Sequence, residues 1–266
     1  MTDGKIIKDL SNEEYHNGEG ISKSDLDLIH RSPLHWKAHV PDEDNDAFRV
    51  GTAFHMAVLE PALFMRSYDK LPPAMKRTTK DGKTRVAEIK AAGKTDLTHE
   101  EWENIIGMRN SVMNNPIAAA LVKGSEHEIS IYGMVNDVLC KCRPDIWDGK
   151  RLVVADLKST ADASPEGFMK SVANFRYHVQ DAWYCHVMEA ATGTAPRAFV
   201  FIAVEKKPPY AVALYSLDWQ AKEQGWFEAL ADLHTYKNAT EKNEFPGYSP
   251  IIEELSLPRW ARKEYE

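Results

Sequence analysis

The stretch RPDIWDGKRLVVADLKS, residues 143–159, decides the reading of this chain. VLCKCRPDIWD (138–148) alternates apolar and polar residues, Gly149 turns the chain, and RLVVADLKST (151–160) reads as the next strand. Asp145 then sits at the end of one strand, and Asp156 and Lys158 near the end of its neighbour. Residues i and i+2 of a strand share a face, so Asp156 and Lys158 project together while Leu157 points into the core. Asp145 can reach the same point across the hairpin. Two carboxylates and an ammonium at one sheet edge are costly to bury unless something uses them. Carboxylate oxygens are hard ligands suited to Mg2+ or Mn2+. A lysine beside them can position a water or help deprotonate it, as metal-assisted phosphodiester hydrolysis requires. The plain alternative is a solvated strand face.

Outward from this stretch, EHEISIYGMV (126–135) is a further β run and Asn136-Asp137 a turn, so the pattern predicts a three-stranded meander. Residues 165–173 and 177–192 read as helices. APRAFVFIAVEK (195–206) and YAVALYSL (210–217) read as two more strands, and Asp218 caps a helix running to about 240. Upstream, residues 1–20 read as a loose lead-in. ISKSDLDLIHRSP (21–33) is a helix with Ser22 as N-cap and Asp25 as its capping-box partner. HWKAHVPDEDNDAF (35–48) reads as a loop, and VGTAFHMAVLEPALFM (50–65) as a helix interrupted near Pro61. LPPAMKRTTKDGKTR (71–85) reads as an exposed, mobile basic loop, with Lys76, Arg77, Lys80, Lys83 and Arg85 against Asp81. Helices follow over 86–94 and 98–121, the second capped by Thr98. The layout predicts an α+β fold with a mixed central sheet flanked by helices. It reads as one domain over 1–266: a mainly helical part (1–125), the sheet and its helices (126–240), and a tail (241–266).

The chain has 266 residues, 43% of them apolar, and a net charge of −7. That balance argues against passive coating of DNA, which favours basic proteins, but not against an enzyme that confines positive charge to one channel. The three cysteines, Cys140, Cys142 and Cys185, are too few and odd in number for a secreted disulfide framework. The first twenty residues contain no apolar signal region, and no apolar run approaches the ~20 residues that span a bilayer. A cytoplasmic protein is expected.

Two further motifs bear on the site. GTAFH (51–55) puts His55 on the apolar helix, as a core histidine or as a metal ligand. In YHVQDAWYCHV (177–187), Gln180 and Tyr184 share a helix face and could donate to phosphate oxygens. GTAFH, RPD, DLK and QDAWY, in this order, resemble the RecB-like branch of the PD-(D/E)xK nucleases. With ISKSDLDLIHRSP and the terminal LSLPRWARKEY, the resemblance to the RecE-like nucleases extends over about residues 15 to 265.

The resemblance implies a restriction-endonuclease-like core and a Mg2+-dependent 5′→3′ exonuclease, with Mn2+ a possible substitute. Such enzymes act on double-stranded DNA ends and leave 3′ single-stranded tails for a RecT-like annealing protein. It also implies a ring-shaped homotetramer with DNA through its centre. By position, His55, Asp145, Asp156 and the Leu157 carbonyl would hold the metal, Lys158 would orient the water, and Gln180 and Tyr184 would hold the substrate. Glu128 is a weaker candidate for a metal-linked acid. The 76–85 cations, with Arg259, Arg262 and Lys263, are candidates for a DNA-facing lining. The chain starts almost at the nuclease core, as expected of a phage-encoded relative. Some relatives bind an iron–sulfur cluster through four cysteines; with three here, Cys140 and Cys142 read as packing residues. Two other readings stay open: a RecB-like nuclease acting on single strands or internally, and a DNA-end-binding protein on a retired nuclease fold.

Overall fold

The computed structural model describes residues 4–40, 46–258 and 261–262, with the side chains of 46–48 left out. The chain begins with β1 (Lys5–Ile7), α1 (Asn12–Asn17), α2 (Lys23–Arg31) and α3 (Pro33–Lys37). Then come α4 (Asp46–Leu59), α5 (Pro61–Ser67), β2 (Tyr68–Lys70), α6 (Lys80–Ala91) and β3 (Thr95–Leu97). α7 (His99–Asn114) and α8 (Pro116–Lys123) lead into β4 (Glu126–His127), β5 (Ser130–Val135), β6 (Val138–Cys142), β7 (Ile146–Asp148) and β8 (Val153–Thr160). The chain closes with α9 (Pro165–Asn174), α10 (Tyr177–Thr192), β9 (Ala198–Glu205), β10 (Val212–Tyr215) and α11 (Trp219–Lys242).

The central sheet has the order β10-β9-β8-β7-β4. Only β8 and β9 run parallel, and α9 and α10 supply the long crossover that a parallel pair requires. The sheet is therefore mixed and flanked by helices, as expected. Both faces are covered, so β9 is apolar almost throughout rather than alternating, and β8 is apolar over its first three residues, before Asp156. Val154, Phe199 and Phe201 pack on one side with Val179 and Trp183 of α10. Ala155, Leu157, Ile202 and Val204 pack on the other with Phe54 of α4 and Ile105 of α7. Each such buried side chain contributes about 1.5–3 kcal/mol. Two glycines permit close approaches to α10 on the first side. A Cβ on Gly225 of α11 would lie 2.1 Å from the His178 carbonyl of α10, and one on Gly133 of β5 would lie 2.7 Å from the Val187 carbonyl.

Ser22 accepts from Asp25 N–H and Thr98 from Glu101 N–H, both in full capping boxes. Pro61 ends one helix and opens the next at its first turn, where its missing N–H costs nothing.

Several expectations are corrected. The meander is two sheets: β5 and β6 form a hairpin with β1, whereas β4, β7 and β8 belong to the central sheet. The run 126–135 breaks at Glu128, whose φ of 52° is left-handed. The lead-in contains β1 and α1, the latter fixed by a Ser11–Glu14 capping box. The 71–85 segment is not wholly a loop, because Thr79 caps α6 from Lys80. The 35–48 loop is bordered by α3 and the start of α4, and 98–121 is two helices split where Asn115 caps α8 ahead of Pro116. Arg259 and Lys263 lie outside the described residues.

Candidate active site

Register builds the acidic pair. In the antiparallel β7–β8 ladder Ile146 faces Ala155, so the next step along puts Asp145 opposite Asp156. Leu157 N–H donates to Asp145 Oδ2 at 2.7 Å and fixes that carboxylate. Lys158 Nζ lies 2.5 Å from Asp156 Oδ1 and 4.5 Å above the Tyr177 ring. Asp156 Oδ2 accepts from Gln180 Nε2 at 2.6 Å. Despite its ion pair, Asp156 Oδ1 is a buried oxygen off any hydrogen-bond direction.

His55 comes from the opposite side of the sheet. Ala53, Phe54, Ala57 and Val58 seat α4 in the core. That leaves His55 on the helix flank, with Nδ1 3.3 Å from Asp145 Oδ1. Glu128 arrives from the kink between β4 and β5, where its N–H donates to the Asp145 carbonyl at 3.2 Å. Its carboxylate accepts from Arg143 Nε at 2.9 Å. Left-handed backbone at a residue with a side chain costs on the order of 1 kcal/mol, and such outliers gather at functional sites. Donor atoms of His55, Glu128 and Asp145 all lie within 4.8 Å of one another.

These residues line one cavity of about 810 Å3, together with Asp156, Lys158, Gln180 and Tyr184. Tyr184 packs edge-on against Phe199, with ring centroids 6.1 Å apart. Thus the side chains expected from the motifs, His55, Asp145, Asp156, Lys158, Gln180 and Tyr184, meet at one place, whereas Leu157 is not among the lining residues. Three participants were not singled out at full weight: Glu128, Arg143 and Tyr177. Arg143 stands inside the RPD motif, and Tyr177 three residues before Gln180. Nothing in the local sequence marks Glu128, since its role comes from the change of sheet.

The charges set one another. Burial disfavours a charged His55, but Asp145 beside it outweighs burial and raises the imidazole to about 9. Burial, then the charge of Asp145, raises Glu128 to about 7. Burial and Asp145 also raise Asp156, against the pull of Lys158. Burial would raise Asp145 too, but His55, Lys158 and the Leu157 N–H hold it below the usual carboxylate range. Burial works against the Lys158 ammonium, yet Asp156 and Asp145 keep it charged and raise its pKa.

The residues fit a divalent cation. An imidazole, two clustered carboxyls and the buried Asp156 oxygen without a hydrogen bond form a donor set of the oxygen-rich kind that hard divalent ions take.

The basic residues fall elsewhere, and none of the five lines this cavity. Arg77 is tied to Asp96 and Glu101 at 2.6 and 2.7 Å, and Arg85 to Asp69 and Glu88. Lys76, Lys80 and Lys83 are exposed. Arg262 Nε donates to the Leu257 carbonyl. Cys140 and Cys142 are buried in the core, and burial pushes the Cys140 thiol up to about 12.

A mixed sheet that delivers Pro-Asp and Asp-x-Lys to one edge, beside a helix histidine, defines a nuclease of the PD-(D/E)xK superfamily. More narrowly, the chain belongs to the family described as "PDDEXK-like domain of unknown function (DUF3799)", matched over residues 22–257. Its fold is similar to a crystal structure from Eubacterium rectale described as that of a candidate exonuclease. That match has TM-score 0.67 and 14% identity, and covers 94% of this chain and 95% of the other. A phage related exonuclease from Haemophilus somnus matches with TM-score 0.34 and 10% identity, over 88% of this chain and 100% of the other, too weakly to carry an argument. No curated protein matches the sequence.

Proposed function

We propose that this nuclease is a Mg2+-dependent exonuclease of the RecE type, degrading one strand of duplex DNA from its 5′ end and leaving 3′ tails for single-strand annealing. The observation that carries the reading is the convergence of His55, Glu128 and Asp145 within 4.8 Å, with the Asp156–Lys158 pair in the same cavity.

His55, Asp145, Asp156 and the Leu157 carbonyl would hold the ion, and Glu128 joins them on the geometry above. A divalent ion in such a site supplies Lewis-acid polarisation of a phosphoryl oxygen and acidifies a bound water. The rest is the work of the side chains. Lys158, kept as an ammonium, donates to a water or a phosphate oxygen rather than accepting a proton. Gln180 holds Asp156 through one N–H and keeps its second N–H for substrate. Tyr184, on the same helix face, adds a hydroxyl to the cavity wall. Glu128, held by Arg143 beside Asp145, would add an acidic oxygen to the set around the ion.

The reading extends to a cytoplasmic enzyme that assembles as a homotetrameric ring, works with a RecT-like annealing partner, and faces DNA with Lys76, Lys80 and Lys83. The test is a linear duplex labelled at either its 5′ or its 3′ ends, incubated with Mg2+ and then with chelator. Early release of 5′ label, with 3′ label retained and no release in chelator, supports the reading. Loss of 3′ label first, or cutting of a closed circular duplex, refutes it.

A further inference from the structure

The catalytic cavity has a neighbour. A second cavity of about 760 Å3 lies against the same residues, floored by Met56, Leu59 and Leu63 with Thr52 and His127 nearby. Five residues line both spaces: Asn12, His16, His55, Glu128 and Arg143. His55 and Glu128 belong to the proposed ion site. Asn12 and His16 are i and i+4 on one face of α1. The wall between the two cavities is therefore α1 on one side and the ion site on the other.

The segment carrying α1 is fastened at both ends and in the middle. Upstream, β1 pairs with β5, and Lys8 forms an ion pair with Glu126. Downstream, Ile21 bridges to Cys140 of β6. Between them, Arg143 Nη1 donates to the Ser11 carbonyl at 3.2 Å. Lys141 Nζ donates to the Tyr15 and Gly18 carbonyls at 2.7 and 2.6 Å, satisfying the open end of α1. Lys141 is 3% exposed, and its ammonium donates to backbone carbonyls of this segment. A buried ammonium is costly, and here it serves only as a clamp on this segment. Tyr15 is the one buried side chain of α1, so little else holds the helix down.

We propose that residues 8–20 are a strap across the active site, under which a single DNA strand passes from one cavity to the other, and that this strap makes the enzyme require a free strand end. This rests on the nuclease reading above. Each cavity is of the size that holds a small ligand, so it admits a nucleotide or two and not a duplex. The two differ in chemistry as the parts of one strand do. The catalytic side offers the Lys158 ammonium to phosphates, whereas the second offers methionine and leucine side chains to bases. A strand without an end cannot be threaded beneath a segment tied down on both sides.

The test compares a linear duplex with a closed circular duplex that carries a short bubble of unpaired bases, in Mg2+. Two variants loosen the strap without touching the cavity lining: Lys141→Met, and a four-residue Gly/Ser insertion after Gly18. Circular dichroism melting establishes which of them folds, and the insertion carries the test if Lys141→Met does not. Wild type should digest the linear duplex and spare the circle. The loosened variants should nick the circle at least tenfold faster than wild type while holding linear digestion within threefold. Folded variants that keep linear digestion and still spare the circle overturn the strap, as does a wild type that nicks the bubble. A wild type that digests neither substrate overturns the nuclease reading itself, and the strap with it. Anisotropy of a labelled bubble circle, read in chelator, should show tighter binding by the loosened variants; equal binding counts against the proposal.

Discussion

Asp181 is a fully buried carboxyl on α10, beside Gln180 but outside the active-site cavity. One oxygen, Oδ2, lacks a hydrogen bond, with Lys222 Nζ 3.5 Å away; the other faces the Cys185 thiol at 3.6 Å. Burial raises its pKa from 3.8 to about 6, opposed by Lys222. The folded protein therefore keeps this proton to a higher pH than the unfolded chain does. Where the folded state binds more protons, stability falls as pH rises. The contribution is complete below about pH 4, declines between about 4 and 6, and is flat above. Two units at 1.36 kcal/mol each give a loss of about 3 kcal/mol by pH 7.

Asp181→Asn keeps the shape of the neutral acid and removes the titration. Lys222, with a side chain 35% exposed, can turn to solvent. Urea denaturation of both proteins at pH 4.5 and at pH 7.5 measures the effect. The variant should gain on wild type by about 2 kcal/mol between the two conditions and be the more stable protein at pH 7.5. A difference that does not change with pH would refute the argument, because it would mean that Asp181 is ionised at no cost. A variant less stable at pH 7.5 would show that the Lys222 pairing outweighs burial.

Asp156→Asn should lower nuclease activity by at least about 10²-fold with melting retained, since the carboxylate serves the site more than the core; steady-state digestion and calorimetry check it. Adding Mg2+ at a hundred times its Kd should stabilise the protein by about 2.7 kcal/mol, and binding should tighten from pH 6 to 9 because His55, raised to about 9, must lose its proton to ligate; calorimetric titration across pH reads both. Arg176 bonds Asp27, Glu228 and the buried Asp232, so Arg176→Ala should cost about 3 kcal/mol by leaving Asp232 with His30 but no guanidinium beside it, measured by urea denaturation. Glu128→Gly should be more stable than Glu128→Gln by about 1 kcal/mol, because only glycine is relaxed at a φ of 52°; thermal melting of the pair decides it.

The parts of the fold legible in the sequence were those written in local chemistry. Ser22 with Asp25, Thr98 with Glu101, and Pro61 all announce helix ends, because a cap acts within three residues. Ser11 with Glu14 obeys the same rule, and α1 was recoverable from it. The meander failed for a different reason. Alternation reports that a residue run is extended and half-buried, not which sheet it joins, and the first switch between sheets turns on the backbone of Glu128. In the site, Asp145, Asp156 and Lys158 were legible because i, i+2 parity and one turn relate them. The arginines of the 76–85 segment looked free because Asp96 and Glu101, their partners in the case of Arg77, lie beyond it in sequence.

The change of sheet is also what makes the site. The chain crosses between the two sheets once at Glu128, from β4 to β5, and again at Arg143 to Asp145, from β6 to β7. The Glu128 N–H on the Asp145 carbonyl ties the crossings together, and the Glu128–Arg143 ion pair repeats the tie in side chains. Residues at such a junction escape the ladders and can aim their side chains along the sheet edge rather than across it. That is how two acids from separate strands meet His55 from a helix on the far face. The strap uses the same junction, since Arg143 holds the Ser11 carbonyl with the arm that does not hold Glu128. Access to the site and the site itself therefore depend on one arginine. Loss of Arg143 should then disturb both together, whereas loss of Lys141 disturbs access alone, and the contrast between those two variants separates the strap from the chemistry it covers.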